Sequence, residues 1–414
     1  MWSKTALACL ALASSATANQ DCKCFPGDKC WPTPKEWAAF NATVGGRLVA
    51  TVPLGAPCHD DTFTPYNKAS CDNVKLLWPL PETHYKTSSS PMASWFANNS
   101  CNPFTEESAL CDGRIYVQYA VRATSADDYA KTLQFAAKRN IRLVVRNTGH
   151  DYHGKSTGAG GLALWTHYLK DTQVINKYTS SYYSGPALKI GAGVQAFEAY
   201  EAADKANLAV TGGDCFTVGL AGGFSQGGGL GPMATMVGLA ADQILEWEVV
   251  TADGRHLIAN PNKNQDLYWA MAGGGGGTYA AVLSATLRAY PTFPVSGATM
   301  TVSSKGVDPA AWDSFLTAFH KSLPSWTDKK IWASYAFIGD NFFLNPLFGP
   351  HLSTHEVQQL LAPTLQALNR SKISYGKTAI STRHHNIVIP AKMLIILQIY
   401  LSSPSTDSSL HIMA

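Results

Sequence analysis

The sequence predicts a mixed α+β chain, and three observations carry that reading: a capped amphipathic helix set between two β-rich runs, a hairpin signal, and helical periodicity late in the chain. In chain order, residues 19–111 are rich in Pro, Cys and Asn with weak periodicity, and read as a loop-rich region stapled by cysteines. Ile115 to Val121 reads as a strand. Ser125 is a helix N-cap, with Asp127 and Asp128 in the first turn where the positive end of the macrodipole favours acids. Leu133, Ala136 and Ala137 give that helix a buried face, and it ends near Asn140. Ile141 to Val145 is the next β-rich run, followed by a loop over 146–161. Leu188 to Val194 reads as a strand and Ala196 to about Ala206 as a helix. Ile244 to Thr251 and Arg255 to Ala259, joined by Ala252-Asp253-Gly254, read as a hairpin, and Thr278 to Tyr290 as a late strand. Residues 310–323 and 354–369 carry helical spacing, and 331–338 reads as a strand.

Composition narrows the function. The 32 Lys+Arg against 29 Asp+Glu give +3 without basic blocks, which excludes the footprint of a nucleic-acid binder. No apolar run is long enough to span a membrane, and 11% aromatic residues supply core material that a disordered chain lacks. Lys4, the apolar run Thr5 to Ala13 and Ala16-Thr17-Ala18 form a secretory signal peptide over 1–18. Seven cysteines between Cys22 and Cys111 are expected in disulfides, as suits an oxidising compartment. Seven is odd, so Cys215 pairs with one of them, or one is free, or a partner is missing. The sequons at Asn41, Asn98 and Asn369 fit a secreted glycoprotein.

Two segments hold the chemistry. Gly149 to Ser156 (GHDYHGKS) satisfies the phosphate-loop pattern by its letters. The Thr-Gly-Ala-Gly-Gly that follows cannot start the helix such a loop must open into, so nucleotide hydrolysis is set aside. The loop makes better sense as main chain cradling a different phosphate. The second segment, Gly212 to Gly231, has nine glycines in twenty residues, too long for one turn and suited to backbone wrapped around a flat, bulky ligand. No βαβ fingerprint or correctly spaced acid supports a Rossmann site. His153, near His150, has no ligand set around it, and no metal site is expected.

Read together, Arg146-Asn-Thr-Gly-His-Asp-Tyr-His-Gly154, Gly161-Leu-Ala-Leu164, the Gly212–Gly231 cluster, Gly238-Leu-Ala-Ala-Asp242, Val249-Val-Thr-Ala-Asp-Gly254 and Asp266-Leu-Tyr-Trp-Ala270 with Gly273 to Gly277 come in order. This series resembles the FAD-binding PCMH-type domain of the vanillyl-alcohol oxidase superfamily, in its secreted berberine-bridge-enzyme-like, fungal alcohol-oxidase branch. The resemblance implies an α+β fold: a PCMH-type FAD domain of two α/β subdomains over 112–292, a partial substrate domain over 293–377, and an atypical tail over 378–414 that reads as a truncation. It implies FAD bonded covalently through His150, with Cys215 expected as a second link. Asn147, Thr148, Gly149, Asp151 and Ser156 are expected around the pyrophosphate. Gly212, Gly213, Val218, Gly219 and Gly223 are expected along the isoalloxazine and ribityl chain. Tyr268 and Trp269 are expected in the core. The implied reaction is FAD-dependent oxidation of an alcohol-type small molecule with O2 as acceptor; the alternatives are a truncated, inactive flavin-binding product or a biosynthetic dehydrogenase. The catalytic base stays unassigned, with His384 and His385 the available side chains, and the oligomeric state is open. Two departures stand out: Leu230 replaces a frequent family His, and the family's late N-Y-x-N-like motif is absent.

Overall fold

The structure is a computed structural model that describes residues 22–60, 63 and 65–376, and the backbone of 379–384. The expected signal peptide, His385 and the rest of the tail lie outside the described residues. Helices α1 (Pro34–Thr43), α2 (Lys68–Leu77), α3 (Pro81–Tyr85) and α4 (Ala126–Lys138) accompany a four-stranded sheet of β1 (Leu48–Ala50), β2 (Tyr119–Arg122), β3 (Leu143–Arg146) and β4 (Leu162–Trp165). Its order is β1-β2-β4-β3, with β2, β4 and β3 parallel and β1 antiparallel at the edge. A larger sheet follows, built from β5 (Thr172–Thr179), β6 (Ser184–Gly191), β7 (Leu208–Val210), β8 (Ile244–Val250), β9 (His256–Ala259) and β10 (Ala281–Pro291). Helices α5 (Ala196–Asp204), α6 (Ala234–Val237) and α7 (Gln265–Met271) lie between its strands in sequence. The third sheet holds β11 (Pro294–Ser303), β12 (Trp332–Ile338), β13 (Asn341–Pro350) and β14 (Ala379–His384), in the order β12-β13-β11-β14. Helices α8 (Pro309–Asp328) and α9 (Thr354–Arg370) pack with it, around a core that includes Phe315, Phe319, Trp326, Phe342 and Leu361. The fold is α+β.

Helix α4 follows the predicted logic: the Ser125 hydroxyl accepts from the Asp128 amide at 3.2 Å, while the Asp128 carboxylate takes the Thr124 amide at 2.9 Å and pairs with Arg47. The predicted strand over 115–121 begins only at Tyr119, because Gly113–Ile115 is a 3-10 turn held by the Asp112 carboxylate on the Arg114 amide (2.9 Å). The region read as loop-rich contains α1 and α2. A capping box starts α1, with the Glu36 amide donating to Thr33 Oγ1 at 3.3 Å and the Thr33 amide to Glu36 Oε2 at 2.8 Å, and Pro34 sits at the first helical position. That helix buries Trp37 and Phe40 against α4 and β2: Phe40 stacks on Phe135 of α4 at 4.0 Å, and Trp37 lies 4.3 Å from Tyr119 of β2. Thr33→Ala is expected to cost about 1 kcal/mol, read as a lower urea midpoint at unchanged slope.

The cysteines resolve into three pairs, Cys24–Cys30, Cys58–Cys71 and Cys101–Cys111. Among the described residues, Cys22 and Cys215 form no disulfide. The odd count therefore does not draw Cys215 into the N-terminal cluster.

Candidate functional site

Strand β3 ends at Arg146, and the loop after it is built around that side chain. Arg146 is fully buried; its Nε donates to the Thr87 carbonyl (3.1 Å), Nη1 to Ser156 (3.1 Å) and Nη2 to His84 (3.2 Å). One guanidinium thus ties the far end of the loop and the segment after α3 to the strand. Burial pulls its pKa down to about 9, still charged at neutral pH. Gly149 turns the loop at φ +88°, and an added Cβ would lie 2.8 Å from the Ser90 carbonyl, so only glycine fits. Asp151 closes the turn on itself. Its carboxylate accepts from the His153 amide (3.1 Å), the Lys155 amide (2.7 Å) and the Ser156 hydroxyl. The Asp151 and Ser156 side chains, both expected near the pyrophosphate, are spent on each other. Beneath them lies buried His84, with Nδ1 on Ser90 Oγ (2.8 Å) and Nε2 on the Trp78 carbonyl (2.6 Å).

The glycine-rich segment is fixed from the other side by the start of α5. The amides of Ala196 and Phe197 donate to the carbonyls of Val218 (2.9 Å) and Phe216 (3.0 Å), and Gln195 Nε2 donates to that of Thr217 (2.7 Å). The two main-chain amides are first-turn donors that a helix cannot satisfy internally, used here to hold a loop. Lys170 bridges Gln195 and Glu198 and keeps the helix start in place. Further along, buried Gln226 joins two glycine segments. Its Nε2 donates to the carbonyls of Ala221 and Gly222 (3.0 and 2.9 Å), its Oε1 accepts from the Gly277 amide (3.2 Å), and its carbonyl accepts from the amides of Gly273 and Gly275.

Asn147 packs directly on this wall. A Cβ on Gly219 would sit 2.0 Å from its Oδ1, and one on Gly222 2.3 Å from its Cγ. Its Nδ2 donates to Thr166 Oγ1 (2.8 Å) and to the Ala192 carbonyl (2.7 Å), while its buried Oδ1 has no partner. Thr148 is buried beside it. Gly212 lies under the Tyr200 ring, where a Cβ would meet the hydroxyl at 2.3 Å, and Gly213 lies against Phe224. Gly223 faces open space, with nothing within 4 Å of an added Cβ. Val218 contributes its carbonyl to the α5 contact.

The two segments meet at one hydroxyl. His150 Nε2 lies 2.7 Å from Thr217 Oγ1, and Cys215 Sγ lies 3.9 Å from the same oxygen. Desolvation by the packed loops drives the His150 imidazole down to about 3, with the His84 ring working in the same direction, so the ring is neutral. Burial pushes the Cys215 thiol up to about 11 and raises the neighbouring Asp214 carboxyl. Cys215 is a thiol at neutral pH, not a thiolate. The family resemblance pointed to His150 and Cys215 but not to Thr217, Gln195 or Gln226, whose parts depend on which groups the fold brings within reach.

The residues fit a flat dinucleotide such as FAD. Open glycine backbone at Gly223, Gly227 and Gly273, where no atom lies within 4 Å of an added Cβ, is what such a group would cover. A metal finds no comparable fit. Among the described residues, the cluster with ligand spacing is Cys24, Asp28 and Cys30, and its sulfurs are joined to each other. No helix among the described residues is long and apolar enough to cross a membrane.

Comparison with known proteins agrees with this fit. The model of the FAD binding domain matches residues 117–260. The chain is 48% identical over 362 residues to the FAD-linked oxidoreductase sor8 of Hypocrea jecorina, covering 87% of this chain and 62% of that protein. It is 42% identical over 386 residues to the VAO-type flavoprotein oxidase VAO615 of Thermothelomyces thermophilus, covering 91% and 67%. Among solved structures, the VAO-type flavoprotein MtVAO615 from Myceliophthora thermophila C1 superposes with a TM-score of 0.81 at 40% identity, over 91% of this chain and 68% of that one. The chain spans 62 to 64% of the length of sor8 and of the two patO oxidoreductases it also matches.

Proposed function

This chain belongs to the VAO-type FAD-linked oxidoreductases, and from that premise we propose that it is an oxidase of the berberine-bridge-like branch, acting on an alcohol-type small molecule with dioxygen as acceptor and holding FAD covalently through His150 and Cys215. The observation that carries the reading is the convergence of His150 Nε2 and Cys215 Sγ on Thr217 Oγ1, at 2.7 and 3.9 Å, from loops 67 positions apart. FAD, when bound, supplies a two-electron acceptor that dioxygen can reoxidise. The chain's own residues prepare that chemistry. His150 is kept neutral and so retains a nitrogen lone pair, and Cys215 stays protonated until a ligand reaches it. Asn147, Thr148 and Gly149 present main chain at the head of the loop, and Gly212, Gly213, Val218, Gly219 and Gly223 form the opposing wall. Asp151 and Ser156 hold the loop's shape by bonding to each other. The paired cysteines at Cys24–Cys30, Cys58–Cys71 and Cys101–Cys111 support a secreted location, and the sequons at Asn41, Asn98 and Asn369 support glycosylation there.

Acid precipitation of the purified protein tests the attachment. Yellow colour is expected to stay in the wild-type pellet and in each of His150→Ala and Cys215→Ala, and to pass to the supernatant in the double variant. Wild-type colour released entirely to the supernatant overturns the covalent reading. Oxygen uptake with a panel of alcohols and carbohydrates tests the oxidase assignment, and substrate-driven bleaching without oxygen consumption would assign a dehydrogenase instead.

A further inference from the structure

We propose that Thr217 is a positioning residue for flavin attachment: its hydroxyl selects the His150 tautomer whose Nδ1 is free to attack, and couples that choice to Cys215. The inference rests on the covalent reading given above. Thr217 is held on both sides, since the carbonyls of residues 216, 217 and 218 are all taken by Phe197, Gln195 and Ala196 at the start of α5. Its side chain is β-branched and stiff about χ1, so the hydroxyl oxygen has a fixed place. From there it reaches His150 Nε2 at 2.7 Å and Cys215 Sγ at 3.9 Å.

A hydroxyl has one hydrogen to give and lone pairs to receive. A neutral imidazole carries one N–H. If Thr217 donates to Nε2, the hydrogen of His150 sits on Nδ1 and that nitrogen has no lone pair to offer. If Nε2–H donates to Thr217, the Nδ1 lone pair is free and the Thr217 O–H is free to turn toward the Cys215 sulfur. The second arrangement leaves only the weak S–H donor of Cys215 unused, where the first leaves the imidazole N–H unused, and it keeps the outer nitrogen nucleophilic. Once Nδ1 carries a carbon substituent and Nε2 has lost its proton, the Thr217 O–H turns to Nε2. Its oxygen then accepts from the Cys215 S–H, the proton that a thioether must lose. Each attachment exchanges one flavin C–H bond for a C–N or C–S bond. The C–H hydrogen and the nucleophile's own hydrogen leave as protons, and two electrons stay on the ring. Dioxygen then takes both electrons with two protons as hydrogen peroxide.

The test compares wild type with Thr217→Val and Thr217→Ser, expressed alike. Peptides containing residues 150 and 215 are quantified by mass spectrometry for flavin adducts, and released FAD is measured in the acid supernatant. Thr217→Val keeps the size and branching and removes the hydroxyl. It is expected to lower the fraction linked at residue 150 at least tenfold while FAD still co-purifies non-covalently. Thr217→Ser is expected to restore the link to near the wild-type fraction, which a packing role for the threonine methyl would not do. Thr217→Val linked at residue 150 to the wild-type extent overturns the proposal, as does Thr217→Ser behaving like Thr217→Val. Wild type without any adduct is a different result, and it overturns the covalent reading itself. If Thr217→Val yields no folded protein, Thr217→Ala with Thr217→Ser provides the same comparison.

Discussion

Arg146→Met is expected to lower the unfolding free energy by about 2–5 kcal/mol and to release the loop that follows β3. The carbonyls of Thr87 and Ser156 lose the guanidinium that satisfies them at 3.1 Å each. A stranded buried acceptor costs about 1–3 kcal/mol. Removing a buried cation returns some of that, which is why the lower bound is modest. Arg146→Lys is expected to recover little, because one ammonium cannot reach carbonyls on three sides as the planar fork does. Urea unfolding followed by tryptophan fluorescence measures the loss. A midpoint within error of wild type would mean that the three carbonyls find other donors and that the loop does not depend on Arg146.

Acidification is expected to destabilise the protein before most of its carboxylates protonate. Burial holds the imidazole of His84 down to about 4 and that of His167 down to about 3, with the charges of Lys170, Arg146 and Arg122 adding to the latter. Both native values lie below the ordinary histidine value of 6.5. As the pH falls, the unfolded chain therefore takes up protons first and stability decreases with them. The contribution is complete above about pH 6.5 and is lost progressively on the way down, through pH 4 for His84. Each histidine adds a slope of about 1.4 kcal/mol per pH unit within its window. For His84 alone the loss by pH 4 is about 3 kcal/mol. Urea midpoints at pH 7.0, 6.0 and 5.0 should decline steadily, and His84→Gln, though less stable at pH 7, should decline less steeply. A wild-type midpoint unchanged from pH 7 to 5 would contradict the assignment.

Much of the α/β part was legible because its signals are local. The Ser125 cap, the acids behind it and the turn at Asp253-Gly254 act within a few residues, and α4 and the β8–β9 hairpin formed where they point. The Thr33-Pro-Lys-Glu36 box was equally local but lay in a segment dominated by Pro and Cys. Other elements were hidden for physical reasons. Strand β5 lies at the edge of its sheet and is largely exposed, so it shows little hydrophobic pattern. Strand β13 is central, yet Pro346 argues against a strand. The register on both neighbours slips between Leu344 and Leu347, and the proline sits in that bulge. The site divides in the same way. His150 and Cys215 follow from the family resemblance of the motifs around them, whereas Thr217, Gln195 and Gln226 act on partners up to 67 positions away that only the folded chain brings near.

Strand β10 sets a timetable for synthesis. It is the last strand of the six-stranded sheet to be made, and it pairs with β6, β7 and β8. A nascent chain that has passed β6 must wait about a hundred residues for the strand that completes the sheet. At ribosomal speeds of about 5–20 residues per second, that wait is on the order of ten seconds. During it the apolar faces of Leu188, Ile190, Trp247 and Val249, all buried in the finished fold, lack their cover. A ribosome that stalls before β10 is made leaves β6 and β8 without the strand that joins them.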